Sequence, residues 1–274
     1  MKKEMSIMPA IAGDMIGAPY ERKGNRIKTT RFPLFNKKSR ATDDSMMTIA
    51  VANALASVYR DYDTPDEVII EAVTKAMQDM GHRYPDAGYG GSFQKWLDDP
   101  KPYGSWGNGS AMRVSPAAYV AEGPGEVLRL AKLTAEVSHN DPEGIKGAQA
   151  VAMAVYYARE GYAKGDIQTS IENLFGYDLN RTVDEIRPGY EFDVSCPGSV
   201  PEAIIAFLDS SSYEDAVRKA VSLGGDADTQ ACIAGAIAGA YYGMPLIIKL
   251  RAFLRLDWYC RRAVLKAARM EAQK

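Results

Sequence analysis

The chain has 274 residues, 46% of them hydrophobic, enough to fill a sizeable core, and a formal net charge of −2. That balance excludes a general attraction to nucleic acid or membrane, though not a local basic groove. Cys196, Cys232 and Cys260 are odd in number, widely spaced and without a CxxC pair. They fit buried thiols in a reducing cytosol better than a disulfide frame or a zinc site.

The opening MKKEMSIMPAIAGD begins like a signal peptide, but its apolar run is short and cut by Pro9, Gly13 and Asp14, so it reads as the start of a cytoplasmic protein. A first helix is predicted over 5–18. Residues 44–62 repeat apolar side chains at Met47, Val51, Ala54, Leu55 and Val58, the spacing of a helix face. Thr64-Pro65-Asp66-Glu67 reads as a capping box opening a helix over 65–80. Residues 81–110 are rich in Gly, Pro and aromatics, with a short helix at 91–98. Helices follow at 125–137, 142–161 and 166–175. Residues 177–199 read as irregular and partly extended. Helices resume at 200–209, at 212–223 behind a Ser211-Ser212 cap, at 228–242 and at 245–271. Alternating strand patterns are scarce. With no low-complexity break, the expectation is one all-α domain over 1–274.

Residues 231–242 carry no charge and are mostly Ala, Gly and Ile, a helix apolar all round and therefore buried all round. Gly235 and Gly239 share one face and admit a close neighbour. The run is too short to span a bilayer, and no membrane association is expected. In front of it stand Gly224-Gly225-Asp226-Ala227-Asp228-Thr229. One acid at a helix start is explained by capping; two acids and a threonine are more than a cap needs. Thr42-Asp43-Asp44 opens another helix in the same way, and alone reads as a cap. Facing each other, the two clusters would offer six oxygen ligands, a set suited to Mg²⁺, Mn²⁺ or Ca²⁺ and large enough for two ions.

Asp14 and Glu21 are seven apart and would share a cleft if the chain turns at Pro19; alone they read as solvated acids. In Ser105-Trp106-Gly107-Asn108-Gly109-Ser110, glycines would line up N–H groups as an anion nest, with a following helix start adding positive potential. Trp106 offers a stacking surface, against the plainer reading of a glycine turn. No Walker A or GxGxxG pattern is present. His82 and His139 are the only histidines, so acid–base chemistry falls to carboxylates. His139 reads either as a helix C-terminal histidine or as a ligand contact.

In this order, Gly13-Asp14…Gly17-Ala18…Glu21, Thr42-Asp43-Asp44, Gly107-to-Arg113 and Gly224-to-Thr229 resemble the motifs of the ADP-ribosylglycohydrolase family, which includes dinitrogenase-reductase-activating glycohydrolase and the ADP-ribosylhydrolases. The resemblance implies an all-α orthogonal helical fold and two Mg²⁺ ions, with Mn²⁺ as the other candidate. It implies Thr42, Asp43, Asp44, Asp226, Asp228 and Thr229 as metal ligands. Glu21, with Asp43 and Asp44, is implied as catalytic. The loop Ser105–Ser110 would take the diphosphate of ADP-ribose, with Asp14 and His139 shaping the pocket or contacting the ligand. The implied activity is removal of ADP-ribose from a modified protein, small molecule or nucleic acid by cleavage of the C1″ glycosidic bond, with N-linked arginine the first expectation. A non-catalytic ADP-ribose binder or structural relative, and a metal-dependent hydrolase of another nucleotide or phosphate ester, are the alternatives. Two positions depart from the pattern. Ala227 stands where a hydroxyl residue is common, and Asp141 where many bacterial relatives carry a second histidine.

Overall fold

Every residue from Ala227 to Ala238 is buried in one helix, and the other helices are placed by the need to cover it. The structure, a computed structural model, describes residues 6–272. Its helices in chain order are α1 Met8–Gly17, α2 Asp43–Val58, α3 Asp66–Arg83, α4 Gly91–Asp98, α5 Ala117–Val120, α6 Pro124–Glu136, α7 Pro142–Glu160, α8 Lys164–Phe175, α9 Val183–Ile186, α10 Cys196–Leu208, α11 Tyr213–Ser222, α12 Ala227–Tyr242, α13 Leu246–Phe253 and α14 Trp258–Ala272. Among the described residues there is no strand, only an isolated bridge between Gly107 and Ser195. The all-α expectation holds.

α12 packs against α1, α2, α7, α10 and α11. A second shell forms as α3 and α14 pack on α2, and α6 and α8 on α7. The buried apolar side chains form one contiguous cluster. Cys196, Cys232 and Cys260 are free and buried within it. Among the described residues no helix is long and apolar enough to cross a membrane.

The close neighbour expected beside Gly235 and Gly239 is α1. A Cβ on Gly235 would stand 2.8 Å from the carbonyl oxygen of Pro9, and one on Gly239 would overlap the Pro9 ring. The approach is reciprocal: a Cβ on Gly13 would overlap the Ala231 carbonyl, and one on Gly17 the Ala227 carbonyl. Glycines on both helices thus let two backbones touch, and this contact sets how far Asp14 lies from Asp228.

Several local expectations are corrected. Met5, where the first helix was expected to begin, lies outside the described residues. Thr64 does not cap α3; its hydroxyl accepts from the N–H groups of Arg60 and Asp61, and Pro65 occupies the N-cap position. The helix expected over 245–271 breaks between Phe253 and Trp258, where Asp257 accepts from Cys260 N at 2.8 Å and restarts the helix. α10 begins at Cys196 rather than 200. Ser195 caps it, and Pro197 sits in the first turn, where its missing N–H is harmless. Within the irregular stretch, Thr182 and Glu185 form a true capping box that opens α9. The Ser212 cap on α11 forms as expected, accepting from Asp215 N.

Forcing a methyl group against a backbone carbonyl has no soft way out, so Gly13→Ala is expected to destabilise the fold by about 3 kcal/mol, the upper end for overpacking. Gly165→Ala, where a Cβ meets nothing within 4 Å, serves as the control and is expected to be neutral or slightly stabilising. Urea unfolding midpoints check this; equal midpoints for the two variants would refute the close-packing account.

Candidate active site

α2 and α12 both begin at one cavity of about 540 Å³. Thr42 holds the N-cap position of α2 and Asp226 that of α12, yet neither side chain makes a capping hydrogen bond. The simple capping explanation therefore fails for both acidic clusters. α2 is capped instead by Asp14, which reaches across from α1. The Asp14 carboxylate accepts from Thr42 N at 2.9 Å, Thr42 Oγ1 at 2.6 Å, Ser45 N at 3.2 Å and Ser45 Oγ. Asp14 is fully buried and is not among the residues lining the cavity. Of its two expected roles, the structure places Asp14 at the start of α2, where it shapes the pocket from behind the wall.

The acids converge in two overlapping groups. Asp14, Asp44 and Asp228 each present an oxygen within 4.8 Å of the others, and so do Glu21, Asp226 and Asp228. Asp228 belongs to both. Asp14 apart, protein groups donate few hydrogen bonds to them. Asp226 Oδ2 accepts from Asn108 Nδ2 at 2.8 Å and Asp228 Oδ1 from Thr229 N at 3.1 Å, while Asp44 Oδ2 lies 3.3 Å from Thr42 Oγ1, whose one hydrogen goes to the nearer Asp14. Asp44 Oδ1 is buried without a partner. Burial raises the aspartate carboxyls above their ordinary range, and repulsion from neighbouring acids adds to it at Asp43, Asp44, Asp226 and Asp228. Asp43 is pushed to about 7 by burial and then by the charges of Asp14, Asp226 and Glu21. Burial lifts Asp14 and Asp226 to about 6 against the pull of their own hydrogen bonds, and lifts Asp44 and Asp228 further, with neighbouring acids adding to it. A set of hard oxygen donors, mutually repelling and partly unpartnered, fits a divalent cation.

Glu21 reaches the cluster from the segment after α1. The helix runs to Gly17 and continues as a 3-10 turn over Ala18–Tyr20, which leaves Glu21 on the cavity wall while Asp14 stays behind it. The segment is tied down by cations. Arg26 Nε donates to Glu21 O at 2.9 Å, and its guanidinium lies 3.9 Å over the Phe192 ring. Lys28 Nζ donates to the carbonyls of Arg187, Tyr190 and Leu223 at 2.8, 2.5 and 2.6 Å. The last of these precedes Gly224, whose φ of +68° is the left-handed turn that swings the chain into Asp226.

The glycine loop lines the same cavity and meets the acids where Asn108 donates to Asp226. Asn108 N donates to Val194 O and Cys196 N to Trp106 O, both at 2.8 Å, so the loop is stitched to the chain entering α10. The anion-nest expectation is corrected in part. Gly107 N is engaged by Ser105 Oγ, and residues 108–113 form turns rather than a helix start. Ser110 faces away, its hydroxyl donating to Gly144 O at 2.7 Å. Arg113, buried beneath the loop, donates to Gly109 O at 2.9 Å. His139 packs under the same glycines, with Nδ1 paired to Ser138 Oγ at 2.8 Å. Asp141, one of the two departures from the family pattern, caps α7 by accepting from Glu143 N.

Of the residues singled out from the sequence, Glu21, Asp43, Asp44, Ser105, Trp106, Gly107, Asn108, Gly109, His139, Asp226, Asp228 and Thr229 line the cavity; Asp14 and Thr42 are buried beside the acids, and Ser110 faces away. Sequence reasoning missed three parts of the wall: Gly90–Phe93 at the start of α4, Tyr103, and Phe192 with Val194. The Gly90-Gly91-Ser92 helix start was a usable signal for the first. The side chains of Trp106, Phe192 and Val194 are 59%, 38% and 52% exposed, an apolar rim on a cavity with a carboxylate floor.

A family model described as ADP-ribosylglycohydrolase matches residues 6–269. ADP-ribosylhydrolase ARH3 of Homo sapiens is 29% identical over 272 residues, covering 74% of this chain and 71% of that one. The ADP-ribosylarginine hydrolase Tri1 of Pseudomonas putida (strain GB-1) is 26% identical over 223 residues, covering 74% and 59%. A solved structure of an ADP-ribosylglycohydrolase-related protein complex superposes with a TM-score of 0.69 at 25% identity, covering 97% of this chain and 96% of that one. The four motifs, their convergence on one cavity and these likenesses agree: the chain belongs to the ADP-ribosylglycohydrolase family.

Proposed function

We propose that this protein is a divalent-metal-dependent hydrolase that removes ADP-ribose from a modified target by cleaving the C1″ glycosidic bond. The observation that carries the reading is the joining of two helix starts, freed from capping duty, into one group of buried, repelling carboxylates beneath a glycine loop. N-linked arginine is the linkage we place first, the one named for the Pseudomonas putida relative.

Thr42, Asp43, Asp44, Asp226, Asp228 and Thr229 would hold Mg²⁺, two ions by family resemblance, or Mn²⁺, with Asp14 fixing the start of α2 behind them. Bound there, the metal would supply positive charge to orient the sugar hydroxyls and lower the pKa of a water. The remaining roles belong to the chain. The Ser105–Gly109 loop and His139 take the diphosphate. Trp106 and Phe192 offer flat surfaces on which a base stacks. Glu21 is the carboxylate at the wall, its segment held by Arg26 and Lys28, where it exchanges a proton with the leaving group or with the attacking water. The surrounding walls keep C1″ within reach of it, and positioning of this kind supplies much of the rate.

Three outcomes are expected. A panel of ADP-ribosyl-arginine, an ADP-ribosyl-serine peptide and ADP-ribosylated nucleic acid, assayed with Mg²⁺ and with EDTA, is expected to release free ADP-ribose from the arginine conjugate, only with metal. Release from another member would relocate the linkage, and silence with tight ADP-ribose binding would favour a non-catalytic binder. Saturating Mg²⁺ at a hundredfold over its Kd is expected to stabilise the wild type by about 2.7 kcal/mol for each ion bound, and Asp228→Ala is expected to lose that gain together with activity. An equal gain in the variant would remove Asp228 from the ligand set. Glu21→Gln is expected to lower kcat by roughly 100-fold or more with ADP-ribose affinity changed less than about threefold; an unaltered kcat would show that Glu21 moves no proton.

A further inference from the structure

We propose that Arg113 and Ser138 are positioning residues that fix His139 as a neutral imidazole with its proton on Nε2, so that the cavity meets an uncharged N–H donor beside Gly107 and Gly109. The identity of what it donates to, a phosphate oxygen, rests on the ADP-ribose reading; the tautomer does not.

The argument is a count of hydrogens. Arg113 is buried, and its guanidinium can only donate. Nη1 donates to Gly109 O at 2.9 Å, and Nη2 to Thr134 O at 3.0 Å and to Ser138 Oγ at 2.9 Å. Ser138 is fully buried and owns one hydroxyl hydrogen. With Oγ already accepting from Arg113, that hydrogen goes to His139 Nδ1 at 2.8 Å, since no other acceptor for it is present among the described residues. A proton on Nδ1 would instead strand a buried serine hydrogen. A doubly protonated ring is opposed twice, by burial and by the fixed charge of Arg113, which together hold His139 well below its ordinary value. The proton therefore resides on Nε2.

Nε2 has no protein hydrogen-bond partner among the described residues, although His139 is only 5% exposed and lines the cavity. A Cβ on Gly109 would stand 3.0 Å from Nε2, and one on Gly107 would stand 3.6 Å from it. Gly109 thus leaves room for the imidazole edge, while the 3.6 Å at Gly107 is ordinary contact. The Arg113 guanidinium grips the loop at Gly109 O and the histidine through Ser138, so it sets the two against each other. Tyr103, its ring 5.6 Å from the imidazole and edge-on, closes the other side. A neutral donor suits the place: it binds an anion without adding charge beside Arg113, and it stays a donor without needing a second proton.

The test uses the full chain carrying His82→Gln, which leaves His139 the only imidazole. His82 is exposed and among the described residues pairs only with Asp98, so its loss is benign. Long-range ¹H–¹⁵N correlation at pH 7 is expected to show a pyridine-type Nδ1 and a pyrrole-type Nε2. The opposite tautomer or an imidazolium pattern would overturn the proposal. In the same background Ser138→Ala is expected to mix the tautomers and weaken ADP-ribose binding in proportion to the Nε2–H population lost, about twofold for an equal mixture, while adenosine, which lacks phosphate, binds as before. An unchanged Nε2–H signal with unchanged ADP-ribose affinity in Ser138→Ala would contradict the positioning role. Failure of the unmutated chain to bind ADP-ribose would count against the functional reading while the Nε2–H spectrum still upheld the tautomer.

Discussion

Mutual repulsion among buried carboxylates is the constraint on which the rest of this structure depends. Asp14, Asp44, Asp226 and Asp228 are buried, and Glu21 and Asp43 adjoin them. At the separations found, each ionised pair costs on the order of 3–4 kcal/mol at an effective dielectric of about 20. A fold of ordinary stability cannot carry several such pairs without compensation. Protons or cations must enter. The helix starts of α2 and α12 offset part of the cost, since their N-terminal potentials favour negative charge. The remainder falls to protons or, in the reading proposed above, to a divalent cation, and Asp44 Oδ1 has no protein partner among the described residues.

The packing makes sense as a means of holding these acids together against their repulsion. α1 and α12 touch backbone to backbone through Gly13, Gly17, Gly235 and Gly239, which brings Asp14 beside Asp228. Asp14 then places α2 by capping it across the interface, and α2 delivers Asp44. Three cations connect the remaining parts through backbone carbonyls, a serine hydroxyl and an aromatic face rather than through the acids: Lys28 joins the Glu21 segment to the turn before Gly224, Arg113 joins the glycine loop to His139, and Arg26 joins Glu21 to Phe192. Because these cations are occupied elsewhere, they do not neutralise the carboxylate group. The site keeps its negative potential for an incoming metal.

Much of this was legible in the chain. The uncharged Ala/Gly run announced a buried helix, and glycines four apart announced the close neighbour. Thr42-Asp43-Asp44 and Asp226-Asp228-Thr229 were readable as a pair because each had more acid than a cap requires. Less legible was whatever depended on partners distant in sequence. Asp14 has the spacing of a residue sharing a cleft with Glu21, but its carboxylate is consumed by Thr42 and Ser45, twenty-eight and thirty-one positions away. Thr64 has a capping-box sequence, yet its hydroxyl closes the preceding turn. The break at Leu254–Asp257 was hidden because apolar periodicity runs through it. Phe192 and Val194 were unreadable as wall residues, since an irregular stretch carries no period to say which side faces inward.

The central claim is that the carboxylate group is a divalent-cation site. The most direct test is anomalous diffraction from a crystal of the protein grown with Mn²⁺. The account predicts strong peaks within bonding distance of Asp228, among Asp44, Asp226 and their neighbours. Peaks confined to surface acids, with the Asp44 and Asp228 carboxyl groups bonded to each other through a shared proton, would contradict it.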